Sequence, residues 1–314
     1  MVFLSFVIGT LFLFLGGHVL VEGASQIARR FTISELIIGL TLVSIGTSLP
    51  EVVVNVLASL KGESDVVMGN ILGSNISNTC LILGATGLLS PLVIPQCRLA
   101  KEIRFYCFSI AVLLLSIMAS QPYEISFLNG ILLLIFFGFS LYLFFIPSSA
   151  TDISENSDSA SLTTDPLYKS VSFFILGIIL LPIGGNLLID SAMSIATTLG
   201  ISISFISLFA IALGTSLPEL VTSLIAASRG NTGLALGNII GSNIFNITLV
   251  LGISALINPI RVQSFYILDI IIMSIAILPV AWVLLFKRHH NFYKSISGLM
   301  LIGYLIYTYF IWIR

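Results

Sequence analysis

Charge is what this chain has least of. Lys, Arg, Asp and Glu make up 9% of its 314 residues, against roughly 25% in an ordinary soluble globule. With 57% hydrophobic residues, the deficit excludes a water-soluble surface. It points to an integral membrane protein whose core is a bundle of its own helices in lipid. A net charge of −1, with no basic patch carrying interleaved aromatics, gives nucleic acid no footing. Cysteine is scarce too: Cys80, Cys97 and Cys107 show no C-x-x-C spacing. They read as free thiols in or near membrane helices, which excludes a disulfide framework or a thiolate metal centre. The opening MVFLSFVIGTLFLFLGGHVL has no positive leading region, and its apolar run is too long for a secretion signal. It reads as a first membrane helix.

What is present is apolar length. Runs of roughly 20 apolar residues cross a bilayer as helices. Ten are expected, near 3–28, 33–60, 64–89, 99–119, 124–146, 168–195, 202–228, 232–257, 262–285 and 291–313. The one polar interruption, residues 147–167, begins PSSATDISENSDSASLTTDP and is expected to be a flexible linker.

The chain also contains itself twice. GTSLPE at 46–51 and GNILGSNISN at 69–78 return as GTSLPE at 214–219 and GNIIGSNIFN at 237–246, offset throughout by 168. The same offset relates Gly16-Gly17 to Gly184-Gly185, Glu22 to Asp190, Ile27-Ala28 to Ile195-Ala196 and Pro91 to Pro259. The fold expected is therefore an all-α polytopic membrane protein of ten transmembrane helices, in two five-helix repeats at 1–146 and 168–314. An odd number of spans per repeat inverts one against the other, the usual build of secondary transporters with a midplane site. Of the loop cations, Arg29, Arg30, Arg98, Lys101, Arg104, Lys169, Arg229, Lys287, Arg288 and Lys294 fall on one side, and Lys61, Arg261 and Arg314 on the other. By the positive-inside bias the first side is cytoplasmic, so both termini are expected outside and the linker inside.

The repeated stretch carries the chemistry. Pro50 and Pro218 lack an N–H and break the helix ladder, freeing a carbonyl near 46–47 and 214–215. In lipid a freed carbonyl needs a partner, and a cation is one. Thr47, Ser48, Thr215 and Ser216 bring hydroxyls to the same break, and Glu51 and Glu219 follow one turn on. In the second block Ser74 with Asn78, and Ser242 with Asn246, are spaced i, i+4 and share a helix side. Gly69, Gly73, Gly237 and Gly241 form GxxxG steps for close helix approach. The donors are all oxygens and include two carboxylates, which suits Ca²⁺ or Na⁺ and disfavours zinc or copper.

Twin GTSLPE and GNxxGSNxxN blocks resemble the alpha-repeats of the cation/Ca²⁺ antiporter superfamily, in particular its prokaryotic Na⁺/Ca²⁺ exchangers. The resemblance implies Na⁺/Ca²⁺ antiport by alternating access, with Na⁺ and Ca²⁺ as transported ions and no cofactor. It implies that Glu51 and Glu219 are shared carboxylate ligands and that Thr47 and Thr215 give carbonyl oxygens to Ca²⁺. Ser48, Ser74, Ser216 and Ser242 line Na⁺ positions, and Ser44 and Ala212 give backbone carbonyls. Asn78 and Asn246 complete the set, and an amide at 246, where some relatives carry Asp, implies K⁺-independent exchange. The first and sixth helices, long and with Gly-Gly pairs, look like the pair that slides.

Other readings compete. The prolines could merely kink packed helices, but an adjacent buried carboxylate in two copies marks function. Asn55, Asn75 and Asn243 are expected to be interhelical hydrogen-bond partners. Glu22 and Asp190 are expected at the interface, and His18 has no partner that the sequence identifies. A Ca²⁺/H⁺ antiporter, or one for another divalent cation, of the same superfamily is the alternative within transport. An intramembrane enzyme lacks its nucleophile and base, and a channel does not account for the inverted duplication. One chain suffices for one site, in the cell membrane and with lipid as its surroundings.

Overall fold

The computed structural model describes residues 2–90, 92–93, 96–118, 120, 123–145, 166–198, 214–286, 291–292 and 294–313, nearly all of them helical. Apolar segments of this length in lipid must satisfy every backbone group internally, and a helix does so. In chain order the helices are α1 Val2–Arg30, α2 Glu35–Thr47, α3 Leu49–Lys61, α4 Ser64–Leu89, α5 Gln96–Met118, α6 Phe127–Phe145, α7 Leu167–Thr198, α8 Leu217–Ser228, α9 Thr232–Ile257, α10 Tyr266–Ala276, α11 Leu278–Phe286 and α12 Lys294–Ile313. Among the described residues α1, α4, α6, α7, α9 and α12 are each long and apolar enough to cross a membrane; α2 and α3, bent by 46° at their break, make a seventh such span. The expected linker, and the start of the expected 202–228 helix with Ala212, lie outside the described residues.

The exterior is apolar and the interior partly polar. Phe3 and Leu128 are 75% and 73% exposed, whereas Glu51, Asn78, Glu219, Asn238 and Ser242 are fully buried. That inversion of the soluble pattern fits a bundle whose outer solvent is lipid. Cys80 and Cys107 are free thiols, as expected.

Glycine sets the closest contacts. Gly9 lies against Gly184 and Leu188, Gly16 against Leu180 and Leu181, and Gly23 against Ser170 and Phe174. One number falls as the other rises, so α1 and α7 run antiparallel. A Cβ on Gly9 would sit 2.7 Å from the Leu188 nitrogen, and one on Gly184 2.7 Å from that of Leu13. These are backbone contacts that no rotamer relieves. Gly237 and Gly241 bring α9 onto α2, where a Cβ on Gly241 would lie 2.6 Å from Ser44 Oγ. The other GxxxG step differs: among the described residues a Cβ on Gly69 would meet only Tyr266 OH, at 3.8 Å, and one on Gly73 nothing within 4 Å.

Several contacts occur in matching pairs, offset by 168 in one partner and by 167 in the other. Gly84 of α4 packs on Ser297 and Leu301 of α12, and Gly252 of α9 packs on Gly130 and Leu134 of α6. Two short antiparallel strand pairs behave alike. β1 (Leu92–Val93) pairs with β4 (Asn291–Phe292), and β2 (Glu124–Ile125) with β3 (Ile260–Arg261). The helices also contain wide π turns that composition did not announce, at Gly39–Val43, Ser77–Ile82 and Asn246–Val250. Such bulges recur at functional sites because they re-aim side chains, and Asn78 and Asn246 sit in two of them.

Candidate functional site

The two GTSLPE copies break their helices identically. Ser48 has φ −85° and ψ 6°, Ser216 has φ −86° and ψ 0°, and each begins a helix with proline in its first turn. The missing N–H of Pro50 and Pro218 interrupts the ladder, and the chain re-enters helix at Leu49 and Leu217. Glu51 and Glu219 thus sit in the first turns of α3 and α8, where the helix dipole favours an anion.

Around these breaks the two copies interlock. Thr47 Oγ1 donates to Asn238 Oδ1 at 3.0 Å, and Thr215 Oγ1 donates to Asn70 Oδ1 at 3.2 Å. With an offset of 168 these are the same bond made twice, each crossing between copies. Asn238 Nδ2 donates to Ser223 Oγ at 3.0 Å and to the Glu219 carbonyl at 3.4 Å. Ser74 Oγ meets Thr215 Oγ1 at 3.3 Å. Ser48 Oγ donates to Glu219 Oε1 at 2.9 Å, and Ser242 Oγ to the same oxygen at 3.4 Å. Ser48, three residues before Glu51, thus ties the Glu51 break to Glu219.

Of the expected site residues, Thr47, Ser48, Glu219 and Ser242 are joined in one network and Ser74 and Thr215 in another, and the two are not symmetric. Glu219 is held by Ser48 and Ser242, while neither carboxyl oxygen of Glu51 has a hydrogen-bond partner among the described residues. Ser216 Oγ, Glu219 Oε2, Asn246 Oδ1 and both amide atoms of Asn78 are likewise buried without one. The Ser44 carbonyl accepts from the Ser48 N–H at 3.0 Å and the Thr47 hydroxyl at 3.4 Å. Buried, unpaired oxygens cost free energy that a bound cation removes. No Lys or Arg balances the two carboxyls within the hydrogen-bond network described.

Sequence reasoning missed Asn70 and Asn238 as individual residues. The signal was available: Asn70, Ser74 and Asn78, like Asn238, Ser242 and Asn246, recur every four residues along one helix side. Asn75 and Asn243 act as expected, Asn75 Oδ1 accepting from Asn246 at 3.3 Å and Asn243 donating to Thr79 Oγ1 at 2.9 Å. Asn55 instead bonds within its own helix, Nδ2 donating to the Glu51 carbonyl one turn back at 2.7 Å. His18 does have a partner, Arg229, and Glu22 forms an ion pair with that same arginine at 3.0 Å, between helices.

Comparison with known proteins bears on what this geometry handles. The model of the sodium/calcium exchanger protein family matches residues 1–146 and 169–313. The chain belongs to that family. The putative antiporter CaxA of Alkalimonas amylolytica is 40% identical over 76% of this chain and 75% of its own length. The inner membrane protein YrbG of Escherichia coli is 40% identical over 81% and 79%. The sodium/calcium exchanger MaX1 of Methanosarcina acetivorans is 31% identical over 83% and 85%. A solved structure of the sodium-calcium exchanger NCX_Mj, soaked with Na⁺ and Sr²⁺, superposes with a TM-score of 0.83 at 31% identity, covering 98% of both chains. This sodium/calcium exchanger family member is thus a helical membrane protein and a cation/Ca²⁺ antiporter, not an enzyme.

Proposed function

We propose that the protein exchanges Na⁺ for Ca²⁺ by alternating access, electrogenically and without K⁺. One observation carries this reading: two buried carboxyls follow matching helix breaks, and Ser48 of one break bonds Glu219 of the other, among hydroxyl and amide oxygens of which several have no partner among the described residues. The −2 charge of the ionised pair matches one Ca²⁺ or two monovalent ions. Glu51 and Glu219 are the shared ligands; Thr47, Thr215, Ser44 and Ala212 supply backbone carbonyls; Ser48, Ser74, Ser216 and Ser242 line Na⁺ positions. Asn78 and Asn246 bring amide oxygens. An amide at 246 adds no third charge, and this supports K⁺-independence.

In this reading residues 1–146 and 168–314 are inverted halves of five transmembrane helices each, joined by a cytoplasmic linker, with both termini outside the cell membrane. The antiparallel course of α1 and α7, their matched glycine contacts and the crossed Thr–Asn bonds support it. One chain carries one complete site.

The test is Na⁺-gradient-driven ⁴⁵Ca²⁺ uptake in proteoliposomes of the purified protein. Uptake is expected with Na⁺, to be unaffected by K⁺, and to fall to background in Glu51→Gln and Glu219→Gln. Uptake that continues with choline in place of Na⁺ under a pH gradient overturns Na⁺ coupling in favour of H⁺. Uptake that persists in both glutamine variants overturns the site.

A further inference from the structure

One cluster of charge outside the ion site is also duplicated. Glu22 Oε2 of α1 accepts from Arg229 Nη1 at 3.0 Å, and Arg229 Nη2 reaches the His18 ring at 2.6 Å. Arg229 follows the last turn of α8 and precedes Gly230, whose φ is +82°. Beside it Asn231 donates to Ser25 Oγ at 2.7 Å, and Gln26 donates to Glu22 Oε1 at 2.9 Å. Further along, Gly17 packs on Val221 and Ile225 of α8 so closely that a Cβ would lie 2.7 Å from Ile225 Cδ1. At this end α1 is clasped to α8.

The offset of 168 gives this clasp a counterpart, residue by residue: Asp190 for Glu22, Lys61 for Arg229, Gly185 for Gly17, Val53 for Val221 and Leu57 for Ile225. Lys61 ends α3 and is followed by Gly62 at φ +74°, repeating the left-handed stop after Arg229. The acid is on the long helix and the base on the short one in both copies. Yet the second clasp is open. Among the described residues Asp190 and Lys61 form no ion pair, and both are exposed. Among the described residues a Cβ on Gly185 would have only Gly214 O within 4 Å, at 3.8 Å, and Val53 and Leu57 are 56% and 53% exposed where Val221 and Ile225 are partly covered.

We propose that these are the two latches of one gate. The Glu22–Arg229 pair holds α1 on α8 in the state of this structure, and an Asp190–Lys61 pair forms when α7 closes on α3 in the opposite access state. The proposal rests on the alternating-access reading above. Because α1 and α7 are locked together antiparallel by their glycines, Glu22 and Asp190 lie at opposite ends of the pair. A single shift of that pair breaks one latch as it makes the other, as expected where inverted repeats rock about a fixed site. The latches are unequal. Ser25, Asn231 and His18 have Met193, Glu63 and Asn186 as counterparts, so the supporting Ser–Asn bond and the imidazole contact belong to the first latch only. The state with Glu22–Arg229 closed is therefore the favoured one in the absence of ions.

The test is cross-linking of the purified full chain in lipid, with Cys80, Cys97 and Cys107 replaced by Ser and a short bis-methanethiosulfonate as reagent. Glu22→Cys/Arg229→Cys and Lys61→Cys/Asp190→Cys are each expected to cross-link, the first in higher yield without ions. In the quadruple variant each molecule is expected to carry one link or the other. With Arg229 in place, Glu22→Gln is expected to raise the Lys61→Cys/Asp190→Cys yield about two- to fivefold, the range for a partly exposed ion pair. This variant leaves α1 uncut and the ion ligands untouched, so its yield reads the equilibrium even if a cysteine pair weakens packing. A 61–190 pair that never links under any Na⁺ or Ca²⁺ condition, both links in one molecule, or a yield indifferent to Glu22→Gln each overturns the latch. The gel readout does not depend on which ion moves. Flux in the cysteine-free parent, measured separately, tests the exchanger reading, so the two can fail independently.

Discussion

Ser48 and Ser216 are the same residue of the same motif, with the same backbone angles, and they should behave differently. Ser48 donates to Glu219 at 2.9 Å, and its loss leaves that carboxyl with Ser242 at 3.4 Å. Ser216 Oγ has no partner among the described residues. A hydrogen bond to a charged group contributes about 1.5–3 kcal/mol. Interhelical bonds within membranes average about 0.6 and reach about 1.7 kcal/mol. The two ranges overlap near 1.5 kcal/mol, which is the loss expected for Ser48→Ala, about tenfold in the unfolding equilibrium. Ser216→Ala removes a buried hydroxyl that makes no bond, so it is expected to change stability by less than about 0.5 kcal/mol, or to increase it. Reversible unfolding in mixed micelles, titrated with dodecyl sulfate in chelator and without Na⁺, measures both. Equal losses, or the greater loss at Ser216, refute the asymmetry on which the reasoning stands.

Asn238→Ala removes bonds to Thr47, Ser223 and the Glu219 carbonyl; it is expected to cost about 1–3 kcal/mol and to weaken Ca²⁺-dependent flux, with binding and unfolding measured side by side. Gly184→Leu drives a side chain into the backbone of Leu13 and Gly9, and a loss of at least about 1–3 kcal/mol is expected. Gly138→Ala faces open space and is expected to be neutral or to gain up to about 1 kcal/mol from helix propensity; thermal melts in detergent compare the two. Ca²⁺ at about a hundred times its dissociation constant is expected to stabilise the parent by about 2.7 kcal/mol, and Glu51→Gln is expected to abolish that gain in the same melts.

Sequence alone determined a great deal here, because lipid narrows the choices. Apolar runs of membrane length could only be helices, and the observed α1, α4, α6, α7, α9 and α12 fall where they were expected. The duplicated GTSLPE determined where the helix would break, since a proline without an N–H acts locally, and both copies give the same φ and ψ. The oxygen donors at each break and the two repeated carboxylates, Glu51 and Glu219, were legible in the same residues. Tertiary structure decided what local rules cannot see. Asn70 and Asn238 gain their role only because Thr215 and Thr47 arrive from the other copy. The π turns that carry Asn78 and Asn246 left no mark in the composition, and His18 and Glu22 meet Arg229 from more than two hundred residues away. Above all, two identical motifs cannot encode a difference between themselves. Among the described residues Ser48 and Ser242 hold Glu219 while the Glu51 oxygens have no such partner, a difference that the motif they share does not specify.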